Sequence, residues 1–207
     1  LQAQSDDISR GSTIAAERQQ DAIAFNQLLG AGIGDQYLKD LRTMAAKTPM
    51  EYIDLTNMSR ALATGFGDDP GRMLKLMRSV GNAGSAVGID ASGMTEMSKA
   101  FSLMQSSGKA TLEKLNIFQE RGVDVIGMLS NGLDKTQAQI YDMISKGQIG
   151  GVEAVNILQA AMDQMYDGAM EKQSKTFSGL SSTLADAETE MQAAYGEGFN
   201  ETRGKGM

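Results

Sequence analysis

Apolar positions along the chain recur with helical spacing. Met73, Leu74, Leu76, Met77 and Val80 fall at i, i+1, i+3, i+4 and i+7, which gathers them on one helix face. Met94, Met97, Phe101 and Met104 form a second stripe, and Ile140, Met143 and Ile144 a shorter third. Val155, Leu158, Met162 and Met165 form a fourth, in the run after Gly151. Residues 4–29 contain no glycine except Gly11 and read as one longer helix. Only Gly122-Val123-Asp124-Val125-Ile126 alternates with period two, and helical signals flank this one strand candidate on both sides.

Start and stop signals divide the middle of the chain into helical pieces. Thr48-Pro49-Met50-Glu51 reads as an N-cap, a proline at the first helical position and a capping-box glutamate. Asp69-Pro70 repeats the cap and proline, and Asp134-Lys135-Thr136-Gln137 offers a third start with Asp134 as cap and Gln137 reaching back. Gly30, Gly67, Gly81, Gly108, Gly122, Gly132, Gly147 and Gly168 follow plausible helical runs and read as stops. The expected fold is all-α, a compact multi-helix domain with longer helices at both ends. We expect seven to nine helices on this pattern, with at most one minor strand pair.

The C-terminal run differs from the others. Phe177, Leu180, Leu184, Ala187, Met191 and Ala194 keep an a/d heptad spacing for nearly three heptads. Either this face docks on its own domain or it forms a seam for a second chain, and both readings stay open. The candidate interaction seam is Phe177, Leu180, Leu184, Ala187 and Met191. Asp186, Glu188, Glu190, Glu197 and Glu201 follow Leu184 with no base before Arg203, and read as a solvated helix face. The expected organisation is a long helix with a connecting helix over 1–47, a multi-helix core over 48–170, and the heptad-patterned helix over 171–207. The chain starts at Leu1 and closes on Gly204-Lys205-Gly206-Met207, and we read it as cut from a longer protein.

Composition sharpens this picture mainly by exclusion. Of 207 residues, 41% are apolar and 5% aromatic, without Trp, so the core is expected to rest on Leu, Ile, Val, Ala and 15 Met. Met at helical spacing reads as core rather than as a promiscuous peptide groove. With neither His nor Cys, thiol nucleophiles, disulfides, Cys/His zinc sites and the usual near-neutral base are ruled out. A net charge of −7 argues against a broad phosphate-binding surface, so no direct nucleic-acid binding is expected. Residues 1–20 lack a signal-peptide core, and no apolar run is long enough to span a membrane.

Chemical motifs fail on inspection. Gly30-Ala31-Gly32-Ile33-Gly34 lacks the spacing and preceding strand of a dinucleotide turn, and reads as a joint between helices. Gly108-Lys109-Ala110-Thr111 lacks the hydroxyl residue after lysine that a phosphate loop needs. Asp68-Asp69-Pro70-Gly71 does not make a calcium loop. Acids are plentiful, but no aromatic-rich cleft accompanies them for stacking a sugar. We expect no catalytic residues, no cofactor and no metal.

The order of segments carries a family resemblance. Ala45-Ala46-Lys47-Thr48-Pro49 and Asp54-Leu55 are followed by Gly81-Asn82-Ala83-Gly84 and Val87-Gly88. Leu112-Glu113-Lys114-Leu115-Asn116, Glu120-Arg121-Gly122-Val123 and Ile144-Ser145-Lys146-Gly147-Gln148-Ile149 come next, then Ser174-Lys175-Thr176-Phe177-Ser178-Gly179-Leu180. This series, over roughly residues 25–195, resembles the region near the amino end of phage tail tape measure proteins. The resemblance implies a structural role in which the parent sets tail length and templates tail tube assembly. It implies tail tube subunits, tail assembly chaperones and tail tip proteins as partners, and self-association of copies side by side. It implies assembly in the host cytoplasm and residence in the phage virion tail. The alternative is a helical protein-binding module of a large cellular scaffold, and an enzyme domain such as a wall hydrolase ranks last. As one rod the chain would span roughly 310 Å at 1.5 Å per residue. The glycine stops preclude such a rod, so this region is expected to fold on itself rather than act as the extended ruler.

Overall fold

Apolar stripes with a 3.6-residue period can be buried only when helices lie against helices, and the architecture follows from that requirement. The computed structural model describes residues 2–204, apart from the side chains of residues 2–5, 7, 177–179, 182 and 199–204. Among the described residues eleven helices follow one another: α1 (Gln2–Leu29), α2 (Ile33–Ala45), α3 (Tyr52–Phe66), α4 (Pro70–Val87), α5 (Ala91–Ser107), α6 (Leu112–Gln119), α7 (Val125–Leu133), α8 (Gln137–Ser145), α9 (Gly151–Tyr166), α10 (Ala169–Ser174) and α11 (Phe177–Gly204). The fold is all-α, and its two 28-residue helices stand at the ends of the chain. Eleven exceeds the expected seven to nine; α6 and α10, of eight and six residues, span only about two turns, too few for a repeating apolar stripe to stand out.

The centre is built by α3, α4, α5 and α9. Leu55, Met58, Leu62 and Phe66 of α3 meet Met97, Phe101 and Met104 of α5, with Met73, Leu76, Met77 and Val80 of α4 and Val155, Leu158 and Met162 of α9 closing the cluster. Each fully buried Leu, Met or Phe contributes about 1.5–3 kcal/mol relative to exposure. All four stripes therefore enter the core, except Leu74 and Met143, which are partly buried, and Met165, which is 60% exposed. Phe118 from α6 meets Phe101 edge-on at a ring distance of 4.9 Å. Phe25, near the end of α1, stacks on Tyr37 of α2 at 5.7 Å. The Tyr37 hydroxyl donates to Ser59 Oγ at 2.8 Å, and burial pushes its pKa up.

Several expected boundaries move. Asp69 does cap α4, accepting from the Arg72 amide at 3.0 Å with Pro70 at the first position. Thr48 is not a cap: α3 begins at Tyr52, and Thr48 Oγ1 accepts only from the Met50 amide at 3.4 Å within a bend. The third start lies two residues later than expected, where Thr136 and Gln139 exchange bonds of 3.2 and 2.8 Å in a true capping box. Asp134 instead ends α7 in a left-handed conformation, at φ 52°. The strand candidate is a turn followed by a helix, in which Asp124 accepts from the Gly127 amide at 3.0 Å and starts α7. Among the described residues the only extended pairing is an isolated bridge between Lys109 and Gly150.

Two expected stops lie inside helices because neighbours come too close for a side chain. A Cβ on Gly81 of α4 would collide with Met170 Sδ, and one on Gly132 of α7 with Ile157. The end of α4 falls instead at Gly88, whose φ of 80° suits glycine. Methionine fits this packing, because its unbranched chain covers a neighbouring helix at its glycine. Met94 does the same over Gly84, where an added Cβ would lie 2.5 Å from Met94 Sδ.

Candidate interaction surface

The long terminal helices pack on each other by a different chemistry from the centre. Gly11 of α1 meets Gln192 and Gly196 of α11, while Arg18, farther along α1, meets Glu190, so the two helices run antiparallel. An added Cβ on Gly11 would lie 2.5 Å from the Gln192 carbonyl oxygen, and one on Gly196 would collide with the Gly11 carbonyl. Ala15 and Ala193 are 2% and 1% exposed, yet neither joins the contiguous core that runs from Phe25 to Met170. The contact is thus a backbone approach along small residues, burying little apolar side-chain surface.

Polar bonds tie this pair to the body of the fold. Arg18 donates to both carboxylate oxygens of Glu190, at 2.8 and 2.6 Å, and its guanidinium lies 5.4 Å from the centre of the Tyr52 ring. Asp186 Oδ1 accepts from the Tyr52 amide at 3.2 Å. Glu51, the residue before α3, provides no side-chain cap, so a carboxylate from α11 satisfies a free amide at the α3 N-terminus, where the helix dipole also favours negative charge. Burial raises the Asp186 pKa, and the Tyr52 amide bond partly counters that shift. Two of the five acids expected to be solvated are therefore docking groups. Glu188 and Glu197 are exposed as expected, and Glu201 lies outside the described side chains.

This docking turns the heptad face outward. Leu180, Leu184 and Met191 are 59%, 70% and 56% exposed, and Ala187 is also exposed. Tyr195, four residues past Met191, is 70% exposed and extends the stripe. Phe177, the first candidate seam residue, lies outside the described side chains. The buried face of α11 carries Ala193 and Gly196, with Asp186 and Glu190 half-buried beside them. The reading in which the heptad packs on its own domain is corrected for the described side chains: Leu180, Leu184, Ala187 and Met191 all lie exposed. Sequence reasoning missed the true contact face. Its signal was Gly11 and Ala15 at i, i+4 and Ala193 and Gly196 at i, i+3, the spacings that place small residues together on a helix face.

Other concavities carry no recognisable chemistry. A groove of about 550 Å³ between α1, α2 and α11 is lined by Arg18, Lys39 and Arg42 together with Asp35, Glu190 and Glu197, so its charges offset one another. A second, of about 630 Å³, lies between α7 and α9 along Met128, Gly132, Ile157, Ala161 and Met165. Among the described residues no three acids gather as metal ligands, and no helix is long and apolar enough to cross a membrane. The fold is a helical module with an exposed apolar stripe on α11.

Comparison with known proteins places that module in a family. The family model for tape measure proteins matches residues 16–197, and the chain belongs to the tape measure protein family. It is 31% identical over 159 residues to the Mu-like prophage FluMu protein gp42 of Haemophilus influenzae, across 76% of this chain. The match covers 25% of that relative's length. No solved structure matches.

Proposed function

We propose that this chain is a folded segment of a phage or prophage tail tape measure protein, whose parent sets tail length and templates tail tube assembly. The observation that carries this reading is the family match over residues 16–197. The kinship to a prophage protein supports it. The segment is structural rather than catalytic, and it works in the virion tail after assembly in the host cytoplasm. Its partners are tail tube subunits, tail assembly chaperones and tail tip proteins, and the α11 stripe of Leu180, Leu184, Ala187 and Met191 is the surface it offers to another chain.

The fold argues that length is measured elsewhere in the parent. A 28-residue helix is about 42 Å long at 1.5 Å per residue, far short of the roughly 310 Å a continuous rod would give. Electron microscopy of particles from a host in which the parent gene is disrupted tests the reading. Loss of tails, or tails of irregular length, is expected, with rescue by the intact gene. Tails of normal number and length without the gene would overturn it.

A further inference from the structure

The stripe on α11 has a defined shape and a defined electrostatic border. Leu180, Leu184, Ala187, Met191 and Tyr195 succeed one another at spacings of four, three, four and four residues, and all are exposed. From Leu180 to Tyr195 the seam is about 22 Å long, at 1.5 Å per residue. That suits one partner helix lying along it, with apolar residues repeating every three or four positions.

The border is acidic. Glu188 is exposed beside the seam, whereas Glu197 lines the groove toward α2, and the sequence has no Lys or Arg between Lys175 and Arg203. Glu190 is already engaged by Arg18, and Asp186 by the Tyr52 amide. A second copy laid on this face, parallel or antiparallel about its midpoint, brings Glu188 against Glu188 with no base of α11 to answer it. The net charge of −7 adds to that repulsion. So short a seam gives only marginal pairing from its apolar residues, and the flanking charges then decide which helix binds.

We propose that this stripe receives an amphipathic helix of another protein whose apolar seam is flanked by lysine or arginine, in preference to a second copy of this chain. The proposal rests on the reading of the stripe as an assembly contact, and it specifies the partner's chemistry.

The test uses the whole chain and two synthetic heptad peptides with the same leucine seam, one flanked by lysine and one by glutamate. Binding is read by fluorescence anisotropy, alongside sedimentation of the protein alone. The lysine-flanked peptide should bind at least tenfold more tightly than the glutamate-flanked one. Leu184→Asp should weaken it at least tenfold although the substitution adds a negative charge, with the circular dichroism unchanged because Leu184 is 70% exposed. Glu188→Lys, at the seam's edge, should shrink the preference for the lysine-flanked peptide at least threefold. If Leu184→Asp leaves lysine-peptide binding equal or stronger, the attraction is only charge and the proposal is overturned. If the protein sediments as a dimer that Leu184→Asp dissociates, and neither peptide competes, the occupant is a second copy: the proposal is overturned while the assembly contact stands. If neither peptide binds and the protein is monomeric, the stripe is no contact at all and both readings of it fall, with the family role untouched.

Discussion

The centre of the fold and the α1–α11 pair both press neighbours against helical glycines, and they make different use of that closeness. Around Gly81 and Gly84 the gap is filled by Met170, Met50 and Met94, so the approach sits inside a continuous apolar cluster. Around Gly11 and Gly196 the neighbours are backbone, and the adjoining buried residues are Ala15 and Ala193. The centre is therefore held by burial of large side chains. Among the described contacts, the α1–α11 pair is held by backbone approach and the Arg18–Glu190 ion pair, and it is tied to α3 by Asp186 on the Tyr52 amide and by Arg60 on Asp21. Close packing by itself does not make a core; the volume of apolar side chain buried at the contact does.

The largest effect should come from the centre. Leu62 is fully buried, and Leu62→Ala should cost about 2–5 kcal/mol and lower the denaturant midpoint of the whole cooperative transition. Leu184→Asp, on the exposed stripe, should stay within about 0.5 kcal/mol in the same titration. Equal losses from the two would erase the distinction between core and stripe.

A bulky residue in the backbone contact comes next. Gly196→Leu cannot fit against α1 and should cost about 1–3 kcal/mol, confined to the pair. Amide hydrogen exchange should accelerate along α11 and the first half of α1 while α3, α4, α5 and α9 keep their protection. Acceleration spread evenly over all the helices would show that the pair and the centre unfold as one unit.

The ion pair should matter less. The Arg18 and Glu190 side chains are 13% and 44% exposed, so solvent screens the pair in part. Glu190→Gln should cost about 1 kcal/mol or less, again read in α11 exchange, and the cost should shrink as salt is raised. A loss as large as that of Leu62→Ala would mean that charge rather than backbone contact holds the pair.

The smallest effect is a pH slope. Burial raises the Asp186 pKa in the folded protein above the ordinary value of 3.8, so the folded state binds more protons than the unfolded one across that window. Stability contributed by this group is therefore present at low pH and falls as pH rises through the raised value. Asp186→Asn keeps an oxygen for the Tyr52 amide and should remove this part of the slope, leaving α11 exchange less pH-dependent above pH 4. An unchanged slope would place the titration on another group; Asp54, raised chiefly by burial and by Glu51, is the next to replace.

The helices were legible in the sequence because their causes are local. Apolar spacing, the Asp69-Pro70 cap and the glycine that ends α5 at Gly108 act within a few residues of themselves, and each appears where the pattern puts it. The order of segments likewise carried the family, and the heptad run carried a helix. Gly81 and Gly132 show where local reasoning fails. A glycine that ends a helix and a glycine that admits a neighbouring helix are the same residue in one dimension, and only Met170 and Ile157 across the contact tell them apart. The direction of α11 was decided in the same way. Its leucines alone favour burial, but Gly196 and Ala193 let α11 approach the α1 backbone, and Asp186 and Glu190 find the α3 N-terminus and Arg18 on that side. Which face turns inward depends on what stands opposite, and the residues opposite, Gly11, Arg18 and Tyr52, lie more than a hundred positions away in the chain.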